Sequence, residues 1–306
     1  MTRIKTIGIP RAMYYFEYAE KWVKFFANLG FKVIVSGKTD AICLNEGVKS
    51  APDDTCLPVK AMYGHTLSLI KEHKNLDYIF LPRIMKTCST AYTCPKTMGL
   101  TDMLKSTVAD LPEVIDCAYT GSDLSFFMQV GKRLGKNRAQ ITSAYLAALK
   151  NLHTSSECDA DGEKPLIAVI GHSYILRDNF LNMDIFDILR ELGVEYVTPA
   201  AEDSACLRTL AHSAGYKQTF WHHADKILGF TKKVTDENSV DGILFLSSFG
   251  CGTDPLTLPV CIDYIGRKNP RLPFAQIDLD EHRSTEGFRT RIEAFCECIS
   301  AAKARV

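Results

Sequence analysis

The sequence predicts an α/β protein of two doubly wound domains, each built on a mainly parallel sheet. A strand–helix–strand phrase opens the chain at Ile4–Val35 and starts again at Leu166–Val197. The right-handed crossover in such a phrase lays its two strands side by side and parallel. Between the two copies, Thr154–Lys164 is polar and patternless and reads as a linker. Late in the chain, Ile243–Leu246 reads as a short strand buried on both faces, and it breaks into Gly250-Cys251-Gly252. The expected boundaries are 1–153 for the first domain, 154–164 for the linker and 165–306 for the second domain.

A chain of 306 residues is longer than one hydrophobic core usually supports, and two domains of about 150 residues each are expected. The 36 basic residues balance 36 acidic ones, so no global field favours nucleic acid or an anionic membrane surface. The longest apolar runs, such as Pro165–Ile170, are too short to span a bilayer. Met1–Pro10 runs into a strand pattern without a signal-peptide core, so a cytoplasmic protein is expected.

Taken in order, Ile4–Ile9 is a strand, Pro10-Arg11 a loop, and Met13–Leu29 an aromatic-rich helix ended by Gly30. Phe31–Val35 is the second strand. No Gly-x-Gly-x-x-Gly follows the first, so a dinucleotide site has no support there. A helix from about Val59 to His73 puts Cys56 at or just before its start, where unpaired amides and the helix dipole favour a thiolate. Asp54 or Thr55 could cap that helix with no chemistry involved. Leu76–Pro82 is a buried strand, and the run to Cys94-Pro95 a loop holding Cys88 and Cys94 with five residues between them. Residues 101–150 read as helical, including Asp123–Leu134 and Arg138–His153.

The second half repeats the syntax. Leu166–Gly171 is a strand, His172–Asp178 a loop, Asn179–Leu192 a helix ended by Gly193, and Val194–Val197 a strand. Trp221-His222-His223 opens a helix running to Thr231, and the strand ending at Cys251 follows. Leu258–Gly266 is a helix, Phe274–Asp278 the last strand, and Phe288–Ala302 the closing helix.

Eleven cysteines, odd in number and irregularly spaced, argue against a secreted disulfide framework. They leave buried structural thiols, a metal or cluster site, or a redox role. A lone cysteine at a strand end is most simply a core residue, but three stand in comparable places. Cys56, Cys94 and Cys251 each lie at a strand's carboxyl end or a helix start, where open α/β sheets bind ligands.

The set Asp54–Lys60, Gly64-His65, Cys94-Pro95, Gly171–Tyr174, Phe249–Gly252 and Asp280–Arg283 with Thr290–Phe295 resembles an uncharacterised domain that accompanies the activases of 2-hydroxyacyl-CoA dehydratases. That activase-related family is similar in turn to the dehydratase subunits and to double-cubane iron–sulfur proteins. The resemblance covers essentially the whole chain. It implies two Rossmann-like domains with a cluster in the cleft between them, and an ATP-hydrolysing activase as electron donor and partner. This chain shows no Gly-rich phosphate loop, so it is not itself the activase.

Residue chemistry points to the same cysteines. Thiolates from separate loops suit a [4Fe–4S] cluster, whereas structural zinc usually takes short paired spacings that are absent here. Cys56, Cys94 and Cys251 are the expected ligands, with Cys88 as a candidate fourth. Cys43, Cys117, Cys206, Cys261, Cys296 and Cys298 read as core or helix-face residues, and Cys158 in the linker as incidental. His65, His172 and His282 either line the cleft as proton donors or stabilise loops. His222-His223 is a weaker pair, since neighbours on a helix diverge by ~100°. Arg283, Arg289 and Arg291 with Asp280, Glu281 and Glu293 read as a salt network, and no basic site for coenzyme A is legible.

The expected function is low-potential electron transfer or reductive chemistry at the cluster, with a small molecule or an acyl-CoA as substrate if the protein is an enzyme. A non-catalytic cluster carrier and a structural zinc protein are the alternatives. Substrate, oligomeric state and the choice between one cubane and two are not readable from the sequence.

Overall fold

A computed structural model describes residues 3–88, 91–150, 164–282 and 284–303. The chain divides into two compact units, Met1–Thr154 and Ser155–Val306. The expected linker 154–164 falls, up to Lys164, outside the described residues, as do Cys158 and Arg283.

The first unit runs β1 (Thr6–Ile9), α1 (Tyr15–Asn28), β2 (Lys32–Val35), α2 (Ala41–Ser50), α3 (Leu57–Glu72), β3 (Tyr78–Phe80), β4 (Arg83–Lys86), α4 (Pro95–Thr107), β5 (Glu113–Ile115), β6 (Ala118–Thr120), α5 (Asp123–Arg133) and α6 (Arg138–Ala148). The second runs β7 (Leu166–Gly171), α7 (Ser173–Leu176), α8 (Ile185–Glu191), β8 (Glu195–Val197), a 3₁₀ turn at Pro199–Ala201, α9 (Ser204–His212), α10 (His222–Asp236), β9 (Gly242–Ser248), α11 (Asp254–Lys268), β10 (Phe274–Leu279) and α12 (Thr285–Lys303).

Each unit carries a parallel four-stranded sheet, in the order β2-β1-β3-β5 and β10-β9-β7-β8. In both, the first strand of the unit has its two successors on opposite sides. Right-handed crossovers then place the connecting helices on both faces, which is double winding. The α/β class with parallel sheets is therefore the one the sequence predicts. The full burial of β9 follows from cover on both sides. Ala168, Ile170, Ile243 and Phe245 pack with Leu207, Ile227, Phe230 and Leu258 of α9, α10 and α11. On the opposite face, Gly242 lies against Phe295 and Ile299 of α12.

The first core is aromatic. Phe80 of β3 takes Trp22 and Phe26 of α1 edge-on at 5.0 and 4.9 Å, and Phe25 meets Phe127 of α5 at 4.5 Å. Gly30, at φ +85°, ends α1, with Gly30 N–H and Phe31 N–H reaching back to Ala27 and Phe26 carbonyls.

Several expectations are corrected. The stretch 101–150 is not all helical, because β5 and β6 interrupt it. Strands of three residues are too short to show a two-residue period, and their identity comes from their parallel partners β3 and β4. The loop after β3 contains β4 for the same reason. The helix expected from Asn179 begins only at Ile185, because Asp178 Oδ1 accepts from Phe180 and Leu181 N–H and turns the chain first. The expected loop at His172–Asp178 holds the single turn α7. Helix α11 starts at Asp254, four residues early, with Pro255 in its first turn. Helices α2 and α9, capped by Asp40 and Asp203, have no counterpart in the sequence reading. Among the described residues no helix is long and apolar enough to cross a membrane.

Candidate metal centre

In the second unit β8 and β9 flank β7, so the winding reverses at the β7/β9 border and leaves a crevice outside their carboxyl ends. His172 follows β7 directly, and its carbonyl accepts from Ile175 and Leu176 N–H to start α7. After β9 the chain turns through Gly250 at φ +75°, a conformation that suits glycine, and Cys251 N–H returns to the Ser248 carbonyl at 2.9 Å. Thr253 and Asp254 then open α11.

These turns bring three side chains together. His172 Nε2 lies 2.8 Å from Asp254 Oδ1 and 3.5 Å from Cys251 Sγ, which is also 3.4 Å from Thr253 Oγ1. One ligating atom from each of His172, Cys251 and Asp254 falls within 4.8 Å of the other two. His172 is 2% and Asp254 4% exposed, while Cys251 is half-buried. Tyr174 stacks on His172 at 5.0 Å and 6°, and His223 meets it edge-on at 4.6 Å.

Burial opposes charge on all three groups, but their mutual attraction outweighs it. The pKa of His172 is raised well above its ordinary value by Asp254 and Cys251 against burial. Those of Cys251 and Asp254 are lowered, again against burial, chiefly by His172. His172 thus favours the anionic forms of Cys251 and Asp254, and they favour its charged form. Burial, and then the charge on His172, hold His223 neutral with its pKa well below the usual histidine value.

This is not a nucleophile–base–orienter triad, in which the two ring nitrogens serve different partners. Here Cys251 and Asp254 both address Nε2, while buried His172 Nδ1 and Asp254 Oδ2 have no hydrogen-bond partner among the described residues. Nitrogen, sulfur and oxygen donors aimed at one point are instead the chemistry of a borderline divalent cation, or of a cysteine metal ligand with polar neighbours.

In the first unit Cys56 and Cys94 occupy equivalent places. Each is the N-cap of a helix, with Pro58 in the first turn of α3 and Pro95 opening α4. Each carbonyl starts its helix, Cys56 to Val59 and Lys60 N–H, Cys94 to Thr97 and Met98 N–H. The two starts adjoin, because Lys96 Nζ donates to the Asp54 carbonyl. Cys94 Sγ also lies 3.5 Å from Thr97 Oγ1. Cys88 follows β4, and its backbone packs on Gly121, where an added Cβ would come within 2.8 Å of Cys88 Cα.

Among the described residues, His172 is the histidine candidate that joins a cluster of ligating groups. His282 is exposed on the turn before α12. His65 is 1% exposed, with Ser36 Oγ on Nδ1 and Thr39 Oγ1 on Nε2, each at 2.9 Å, so it braces the loop after β2. Burial first, and then Arg11, lower its pKa to about 4 against the pull of Asp40. The unfolded chain therefore takes up this proton near pH 6.5 and the folded chain only near 4. Stability from this residue is complete above pH 6.5 and is lost as pH falls toward 4, by about 3 kcal/mol. Urea midpoints at pH 7 and pH 4.5 should differ more for the wild type than for His65→Gln. Equal differences would contradict this placement.

The sequence reading missed Asp254 and undervalued His223. Asp254 stands three residues after Cys251 in Thr-Asp-Pro, a helix-start signal that could have been read. His223 becomes visible only once α10 is packed against β7. Cys261 lies in the second core with its thiol pushed up to about 12 by burial, Cys43 packs against Gly64, and Cys206 and Cys298 are exposed. Of the expected salt network, Arg289 pairs with Glu293 at 2.9 Å; it also pairs with Glu191 at 2.8 Å, and Arg291 instead donates to the Gln276 carbonyl.

No curated protein matches the chain. The family model described as the CoA enzyme activase uncharacterised domain matches residues 6–201. That is more than half of the chain and includes Cys56, Cys88, Cys94 and His172, while Cys251 and Asp254 lie beyond it. The chain belongs to the CoA enzyme activase uncharacterised domain family.

Proposed function

We propose that the protein is an iron–sulfur protein whose cysteines Cys56, Cys94 and Cys251 hold a [4Fe–4S] cluster in the cleft between two Rossmann-like domains. In this reading an external ATP-hydrolysing activase reduces it for low-potential electron transfer or reductive chemistry. The observation that carries it is the matched placement of Cys56 and Cys94 at two adjoining, proline-started helices. Amide-rich helix starts favour thiolates, and thiolates are what cluster irons take. Cys251 offers the same chemistry, its thiolate stabilised by His172. A bound cluster would supply one electron at a time.

The chain's own residues prepare the cysteine. Asp254 fixes the His172 ring through Nε2 at 2.8 Å, and the same nitrogen lies 3.5 Å from Cys251 Sγ, so its charge favours the thiolate form at the β7/β9 crevice. Reduction of the anaerobic protein by a CoA enzyme activase with ATP, followed by EPR, tests the functional half of the reading. A cluster signal that needs the activase and nucleotide supports it. Full reduction by an ordinary ferredoxin without nucleotide contradicts the activase link.

The mixed His172, Cys251 and Asp254 donors favour one second reading, a single divalent cation such as zinc held in the second unit. Zinc in an anaerobic preparation, without iron or sulfide, would establish it.

A further inference from the structure

At the amino ends of β9 and β10, the sheet edge opposite Cys251, the second unit contains a cleft of about 700 Å³. Its lining comes from the chain just before β9, the turn before β10 and the last turns of α12. Gly242 lets α12 close on the start of β9, since an added Cβ there would lie 2.8 Å from Ile299 Cδ1. Val240 and Leu272 belong to the second core, and with Pro273, Ile299 and Ala302 they form an apolar wall. The volume falls within the 300–1,000 Å³ usual for small-molecule sites.

The polar part of the lining is sparse and directed. The Asn269 carbonyl accepts from Leu272 N–H at 3.0 Å, closing a β-turn with Pro270 and Arg271 at its centre. Proline presets the backbone at that place in a turn, so Arg271 stands on a short, rigid connection. Arg271 is exposed, and among the described residues its guanidinium makes no hydrogen bond and no ion pair. The other two charges of the lining engage each other. Lys303 Nζ lies 2.7 Å from Asp241 Oδ2, which also accepts from Leu166 N–H at 2.8 Å. Two cations against one carboxylate leave the cleft with one positive charge unbalanced, that of Arg271. Beside it, Asn269 Nδ2 donates to Asn238 Oδ1 at 2.8 Å, which orients the Asn238 amide and leaves its Nδ2 to donate from an exposed position.

We propose that this cleft binds a small amphipathic carboxylate, an ionised acid group on an apolar chain. The carboxylate takes the Arg271 guanidinium, whose forked donors match its two oxygens, and accepts from Asn238 Nδ2. The chain lies along the wall of Val240, Leu272, Pro273, Ile299 and Ala302 and leaves water as it binds. An inorganic anion would use the head group alone, and a neutral alcohol the wall alone. The seven residues of β9, roughly 20 Å of strand, separate this cleft from the edge that holds Cys251. The inference rests on the second unit alone and is independent of the cluster reading.

Calorimetric titration of the intact chain with hexanoate, octanoate, decanoate and octanol tests it. Octanoate should bind saturably, one per chain. Affinity should rise by about fourfold for each CH₂ added from hexanoate to decanoate. Octanol, with the tail but no charge, should bind at least about tenfold more weakly than octanoate, and that gap should narrow at high salt. Arg271→Gln, a change at an exposed turn, should weaken octanoate at least about tenfold and leave octanol unaffected. Ala302→Phe, which fills the apolar end, should abolish the gain from hexanoate to decanoate. No saturable binding of octanoate up to about 10 mM, octanol equal to octanoate, or octanoate affinity untouched by Arg271→Gln would overturn the proposal.

Discussion

Gly64→Ala should destabilise the protein by about 3 kcal/mol or more, an overpacking effect at the top of the usual range. Helices α2 and α3 cross backbone to backbone at a pair of glycines. A Cβ on Gly64 would lie 2.0 Å from the Cys43 carbonyl oxygen, and one on Gly47 1.9 Å from that of Lys60. No side-chain end can move aside in either case, so the helices must part. Because Cys56 is the N-cap of α3, displacing the helix also moves that cysteine. The control is Gly99→Ala in α4, where nothing lies within 4 Å of the added carbon. That change should stabilise by up to about 1 kcal/mol through helix propensity. Urea unfolding of both variants checks the pair, and a Gly64→Ala midpoint equal to the wild type would show that the two helices do not touch.

The second large effect concerns metal retention. Cys251→Ser should lose the bound metal of an anaerobic preparation, because Cys251 is the sulfur that His172 and Thr253 present at the crevice. Cys88→Ser should keep it. Cys88 has no helix start behind it, and Gly121 holds its backbone at the end of β4. With three thiolates one iron stays open to a small ligand, so cyanide should perturb the spectrum of wild type and Cys88→Ser alike. Loss of metal from both variants would mean a closed set of four thiolates, favouring electron transfer over chemistry at an open iron.

The parts of the fold legible in the sequence are those where burial leaves a pattern. Ile243–Leu246 announces β9 because a strand covered on both faces is apolar at every position. Gly30 and Gly193, both at positive φ, mark helix ends that side-chain chemistry dictates. What stayed hidden depends on partners remote in sequence. Strand β5 is only Glu-Val-Ile, and its strandhood is conferred by β3, more than thirty residues away. The delayed start of α8 depends on a turn that Asp178 caps.

The same division holds at the candidate centre. Cys56, Cys94 and Cys251 were readable because Cys56 precedes a helix, Cys94 a proline, and Cys251 stands between glycines. His172 was readable only as one histidine among several. Its pairing with Asp254, 82 residues on, is a product of β7 and β9 lying side by side. His65 shows the converse: an equally prominent histidine with both nitrogens engaged inside the fold.

The central claim is that the thiolates of this chain hold an iron–sulfur cluster. Iron and acid-labile sulfide in the anaerobically purified protein test it most directly. The account predicts about four iron and four sulfide per chain for one cubane, or a multiple of that for two. Stoichiometric zinc with neither iron nor sulfide would contradict it and leave the His172, Cys251 and Asp254 grouping as a mononuclear site.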